Sequence, residues 1–141
     1  MALVFWDTNL FIYLFEGNPE FGATVRELGR RMESRKDRLV TSALTIGEIL
    51  VRPIRENDSG SEQRYRAFFS DPEIRIAAFD ANAAQSYARV RQDAAVTVAD
   101  AIQLACAASA KVDLFVTNDE RLSRKQVPGI NFITSLERAP I

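Results

Sequence analysis

LVFWDTN, residues 3–9, is the stretch whose reading decides the fold. Leu3 to Trp6 is a short apolar run without polar alternation, the pattern of a strand buried on both faces in the middle of a parallel sheet. It stops at Asp7-Thr8-Asn9, side chains that cap a helix well because their oxygens accept the unpaired amide hydrogens of its first turn. The same junction recurs at the other end of the chain, where the buried run Val112 to Val116 leads into Thr117-Asn118-Asp119.

Between these junctions apolar runs alternate with helical spacings. Leu10 to Phe15 reads as a short helix closed by Gly17 and Pro19. A second helix is expected from near Glu20, carried by Phe21, Val25, Leu28 and Met32 and ending in the charged stretch Arg35 to Arg38. Leu39 to Thr41 is a brief strand, after which Ser42 caps a helix through Leu44, Ile49 and Leu50 that Pro53 is expected to stop. Glu56 to Ser61 reads as a loop, followed by a helix through Tyr65, Phe68 and Phe69 that ends at Asp71-Pro72. Glu73 to Ala77 reads as a strand with one exposed side, and Asp80 caps a helix bearing Ala84, Tyr87, Ala88 and Arg91. After a turn near Asp93, Val98 to Ala110 forms a helix rich in small residues, and Asn131 to Thr134 is a candidate edge strand. Such alternation predicts an α/β fold: a central, mostly parallel sheet of four to five short strands, with helices on both faces and ligands at the carboxyl ends of the strands.

The chain has 141 residues, which fits one domain spanning 1–141. Its 47% apolar and 26% charged content, with nine Phe, is that of a globular protein rather than a disordered one. A single cysteine, Cys106, excludes an internal disulfide and reads as a buried thiol. The apolar opening ends at Asp7, short of a signal-peptide core and of the roughly 20 residues a membrane span needs. A cytoplasmic, membrane-free protein is therefore expected. The net charge of −1 does not advertise nucleic-acid binding, yet the basic side comprises fifteen Arg and only Lys36, Lys111 and Lys125. Arginine makes the forked contacts that suit phosphate.

There is no histidine, so hydrolytic chemistry here rests on carboxylates, hydroxyls, Cys106 or a divalent cation held by oxygen. Asp7 and Asp119 leave the carboxyl ends of apolar strands, while Glu48 and Asp100 approach from helices, so all four can converge on one pocket. Carboxylates gathered without a cation repel one another and take up protons. Mg²⁺ or Mn²⁺ resolves that conflict, and such a pocket suits phosphodiester hydrolysis by a positioned water. Thr8, Asn9, Thr117 and Asn118 are the candidates to hold the acids or meet phosphate. Each acid also has an ordinary role open to it. Asp7 and Asp119 can cap helices, Glu48 can be a solvated helix residue, and Asp100 can complement a helix dipole. Asp93, Asp113 and Glu120 read as surface acids, with Glu120 a reserve ligand.

Four segments in order, WDTNLFIYLFEG, TSALTIGEIL, VADAIQLACA and LFVTND, resemble the motifs of the PIN-domain family, especially its small VapC-type toxin nucleases. The resemblance spans nearly the whole chain. It implies that Asp7, Glu48, Asp100 and Asp119 form the Mg²⁺/Mn²⁺ site of an endoribonuclease. It further implies products with a 5′ phosphate and a 3′ hydroxyl, a cognate antitoxin and a homodimer. Leu122 stands where relatives often carry another acid or an aromatic residue nearby.

Other classes fit less well. An aspartyl phosphatase needs a second acid where Asn9 stands, and a dinucleotide-binding enzyme needs a glycine-rich turn after Trp6. The alternatives that remain are a noncatalytic PIN module binding RNA or protein, and a PIN nuclease of RNA processing rather than a toxin.

Overall fold

The computed structural model describes all 141 residues. In chain order the elements are β1 (Leu3–Trp6), α1 (Thr8–Glu16), α2 (Gly22–Arg35), β2 (Arg38–Ser42), α3 (Ala43–Arg55) and α4 (Ser59–Phe69). There follow β3 (Arg75–Ala77), α5 (Ala81–Val90), α6 (Val98–Ser109), β4 (Leu114–Thr117), a 3₁₀ turn (Leu122–Arg124) and β5 (Phe132–Ser135). The five strands form one sheet in the order β3-β2-β1-β4-β5, and every neighbouring pair is parallel. The expected α/β architecture is therefore what the chain adopts. Strand order reverses at β1, so the crevice beyond its carboxyl end is the position where such sheets bind ligands.

Successive side chains of a strand point to opposite faces, and β1 builds both cores this way. Phe5 packs into the layer closed by α5 and α6, stacked on Phe115 of β4 with ring centroids 4.8 Å apart. Val4 and Trp6 point into the other layer, with Leu10 and Phe11 of α1, Val25, Leu28 and Met32 of α2, Ile49 of α3 and Phe69 of α4. The small residues Ala101, Ala105 and Ala108 of α6 are buried, and they let neighbours approach closely. Gly129 uses that space: its φ is +99° and a Cβ there would lie 2.8 Å from the Ala108 carbonyl oxygen. The Cys106 thiol is buried, and that burial pushes its pKa up to about 11.

At the amino end of the sheet two aspartates hold the start of β1. Asp37, just before β2, accepts the Ala2 amide at 2.8 Å. Asp113, just before β4, accepts the Leu3 amide at 2.8 Å and the Asn131 side-chain amide at 3.2 Å. Asp113 is thus a structural tether rather than the surface acid its position suggested.

The third and fourth strands begin two residues later than expected, at Arg75 and Leu114, and two helix boundaries also depart from expectation. Pro53 lies inside α3, which continues to Arg55. A proline so near the end removes one ladder bond from the last turns, and the buried ring finds its place in the packing. The expected loop from Glu56 to Ser61 is shorter, because Asp58 accepts the Ser61 amide and starts α4 at Ser59.

Candidate functional site

Asp7 stands at the strand-order reversal. Its backbone amide continues the ladder to the Val116 carbonyl at 3.0 Å, and its carboxylate caps α1. Oδ1 accepts the Thr8 amide at 2.9 Å and Oδ2 accepts the Thr117 hydroxyl at 2.8 Å. Only 8% of the residue is exposed. Burial is the main force raising its carboxyl from the ordinary 3.8 to about 6; the Thr117 and Thr8 hydrogen bonds oppose it, and the charges of Asp100 and Glu48 push it further up.

Glu48 projects from α3 as an exposed residue, its Oε1 accepting the Thr8 hydroxyl at 2.7 Å. Asp100 is half-buried in the first turn of α6, where Thr97 caps the helix by accepting the Asp100 amide at 3.2 Å. A carboxylate there is favoured by the unpaired amides of the helix start. None of these three acids belongs to any ion pair in the protein. Three elements therefore present all-oxygen donors whose charges act on Asp7, with no cationic side chain paired to any of the three. That donor set fits a hard divalent cation. The acids are not drawn into a closed cage: no three acidic side chains lie close enough together to hold a metal as they stand.

Asp119 is joined to Asp7 through the Thr117 hydroxyl, but its carboxylate is turned toward the 3₁₀ turn. Oδ1 accepts the amides of Arg121 at 2.9 Å and Leu122 at 3.3 Å, and Oδ2 faces the Arg121 guanidinium at 3.4 Å. Burial raises its pKa, yet those hydrogen bonds and the Arg121 charge outweigh burial and leave the carboxyl below its ordinary value. The cap role open to it in the sequence is the one observed, on a 3₁₀ turn instead of an α-helix. Thr117 links the two strand-end acids, donating to Asp7 and accepting the Asp119 amide at 3.1 Å. Asn118 donates to the Tyr13 hydroxyl at 3.0 Å, tying this loop to α1, and Asn9 is exposed in the first turn of α1. Among nearby arginines, Arg52 pairs with Glu16 and Glu56, and Arg138 with Glu120. Arg55 and Arg124 are exposed.

Behind the acids lies a buried polar group that sequence reasoning missed. Thr41, Ser42, Thr45 and Gln103 are all at most 2% exposed. Gln103 Nε2 donates to Thr8 and Thr45, both at 2.8 Å, and Oε1 accepts the Ser42 hydroxyl. The available signal was Gln103 lying one helical turn beyond Asp100, on the same face of α6.

A family model described as the PIN domain matches residues 4–128. Among solved structures, a chain of VapBC2 from Rickettsia felis, bound to a DNA fragment from their promoter, superposes with a TM-score of 0.75 at 14% identity; the match covers 94% of this chain and 98% of that one. A toxin-antitoxin complex from Klebsiella pneumoniae gives a TM-score of 0.64 at 26% identity, covering 92% of this chain and 95% of its own. VapC20 from Mycobacterium tuberculosis, a sarcin-ricin loop cleaving toxin, gives 0.61 at 18% identity over 79% and 86%. A search of curated proteins found no match.

Proposed function

The chain belongs to the PIN-domain family, and from that membership we propose that it is a divalent-metal-dependent endoribonuclease acting as the toxin of a toxin-antitoxin pair. The observation that carries this reading is Asp7: a carboxylate at the strand-order reversal, pushed toward neutrality mainly by its burial and further by the charges of Asp100 and Glu48, and without a basic partner. Asp7, Glu48 and Asp100 are the residues assigned to hold Mg²⁺ or Mn²⁺, which when bound would activate water and offset charge on the phosphate oxygens. Asp7 supplies the fixed point, held by the Thr8 amide and the Thr117 hydroxyl. Glu48 is exposed and Asp100 half-buried, so both have room to turn toward Asp7, and one of them orients the attacking water or accepts its proton. Asp119 is the conditional fourth member: it joins once the 3₁₀ turn gives up its carboxylate. The exposed Arg55 and Arg124 are assigned to RNA phosphates.

The toxin role draws on the likeness to the toxin-antitoxin complex from Klebsiella pneumoniae, and implies a cognate antitoxin as partner. A homodimer and a cytoplasmic location belong to the same proposal; no helix is long and apolar enough to cross a membrane. The competing reading, a noncatalytic PIN module, draws on the engagement of Asp119 and the open arrangement of the acids.

Cleavage of mixed structured RNAs with Mg²⁺, Mn²⁺ or EDTA separates the two, with folded Asp7→Asn and Asp100→Asn variants alongside. The nuclease reading expects metal-dependent cutting, 5′-phosphate ends and loss of cutting in both variants. Equal cutting by wild type and variants would refute the assigned site. Tight metal and RNA binding without any cutting would establish the noncatalytic module instead.

A further inference from the structure

The buried group behind the acids has a direction. Each hydroxyl owns one hydrogen, a carboxamide owns two on nitrogen and none on oxygen, and a backbone carbonyl can only accept. Gln103 Oε1 accepts from Ser42, and its two Nε2 hydrogens go to Thr8 and Thr45. Thr41 lies 3.0 Å from the Trp6 carbonyl and 2.9 Å from the Thr45 hydroxyl. Its single hydrogen serves the carbonyl, so Thr45 supplies the hydrogen shared with Thr41. Thr8 already receives from Gln103, and of the two acceptors within reach of its own hydrogen, Thr45 Oγ1 at 3.2 Å and Glu48 Oε1 at 2.7 Å, the nearer, charged oxygen of Glu48 takes it. Every donor is then used once, and donation from Gln103 divides: one branch runs outward through Thr8 to the Glu48 carboxylate, the other through Thr45 and Thr41 to the Trp6 carbonyl. Reversing the carboxamide would turn Oε1 toward Thr8 and Thr45 and give the Thr8 hydrogen a buried acceptor that competes with Glu48.

From this pattern we infer that Gln103 is a positioning residue: through the Thr8 hydroxyl it sets the direction in which the Glu48 carboxylate faces the site. The inference rests on the reading that Glu48 belongs to that site. Glu48 is exposed on α3 and has no ion-pair partner, so the Thr8 hydroxyl is the contact that restrains its rotation. Thr8 in turn is held by a residue 2% exposed on a different helix. Outer hydrogen-bond partners of this kind typically change metal affinity by about 10- to 100-fold when removed.

The test is Mn²⁺ affinity by calorimetry for wild type, Gln103→Met, Thr8→Val and the double variant, each first shown to fold by circular dichroism. Both single variants are expected to weaken Mn²⁺ binding by roughly tenfold, and the double variant to be no weaker than either. A folded Gln103→Met with wild-type affinity overturns the inference, as do losses that multiply in the double variant. Should Gln103→Met fail to fold, the wild-type protein still decides the matter by NMR. The Gln103 side-chain amide hydrogens should show cross-peaks to the methyls of both Thr8 and Thr45; cross-peaks to the Ser42 β-hydrogens in their place would mean a reversed carboxamide and overturn it. RNA cleavage fails separately. Wild type that binds Mn²⁺ without cutting RNA refutes the nuclease reading and leaves the Gln103 inference standing. Wild type that binds no Mn²⁺ sinks the site reading, and the NMR pattern then decides alone.

Discussion

Asp7→Asn should make the metal-free protein more stable, an unusual result for a substitution at a buried, hydrogen-bonded position. The unfolded chain releases this proton near 3.8 and the folded protein near 6. Between those values the folded state binds more protons, so stability falls as pH rises; above about pH 6 the penalty is complete, at about 3 kcal/mol, and below the lower value it vanishes. Asparagine removes the penalty because it carries no charge. Its oxygen can still accept the Thr8 amide, but the Thr117 hydroxyl loses its acceptor, at a cost of about 1 kcal/mol. The net gain is about 2 kcal/mol near neutral pH, or about 6 °C in Tm for a domain of this size. Thermal unfolding followed by circular dichroism in EDTA, from about pH 4 to about pH 7.5, should show the variant level with or slightly below wild type at the acid end and above it at the neutral end. Excess Mn²⁺ should then raise the wild-type Tm and leave the variant unchanged. A variant that melts below wild type at neutral pH in EDTA would refute the reasoning, because Asp7 would then not be a strained charge.

Arg121→Ala should strengthen Mn²⁺ binding by about two- to fivefold, the scale of losing an exposed competing charge at Asp119; calorimetric titration reads this directly, and weaker binding would remove Asp119 from the site. Thr45→Val strands one Gln103 hydrogen and the Thr41 contact inside the core, and urea denaturation should register a loss of about 1–3 kcal/mol. Gly129→Ala forces a Cβ to within 2.8 Å of the Ala108 carbonyl at a φ of +99°, so unfolding at lower denaturant by about 2 kcal/mol or more is expected.

The central strands were legible because burial on both faces leaves apolar runs such as Leu3 to Trp6, and Val112 to Val116 broken only by Asp113, of which Leu114 onward forms the strand. Three helix starts were legible because Asp7, Ser42 and Asp80 sit directly before them and accept first-turn amides. Pro53 misled because its effect depends on how many turns remain after it, which sequence does not state. Asp119 remained ambiguous for a related reason. The same residue type suits a strand-end ligand and a turn cap, and only the approach of the Arg121 and Leu122 amides shows that its carboxylate is engaged as a cap. The Gln103 network left no periodic trace at all. Thr41 reads as a strand residue and Ser42 as a cap, and nothing in the apolar spacing marks Thr45 or Gln103 until the fold encloses them.

The two aspartates at the amino end of the sheet govern geometry at the opposite end. Asp37 and Asp113 fix the Ala2 and Leu3 amides from the strands on either side of β1, which sets the phase of that strand against both neighbours. A slip of one residue would advance the chain by about 3.3 Å and exchange the faces on which Phe5 and Trp6 lie. Asp7 would then miss both Thr117 and the crevice. The placement of the buried carboxylate is thus measured from a datum one strand-length away, and mutations at Asp37 or Asp113 would act as errors of alignment rather than of chemistry.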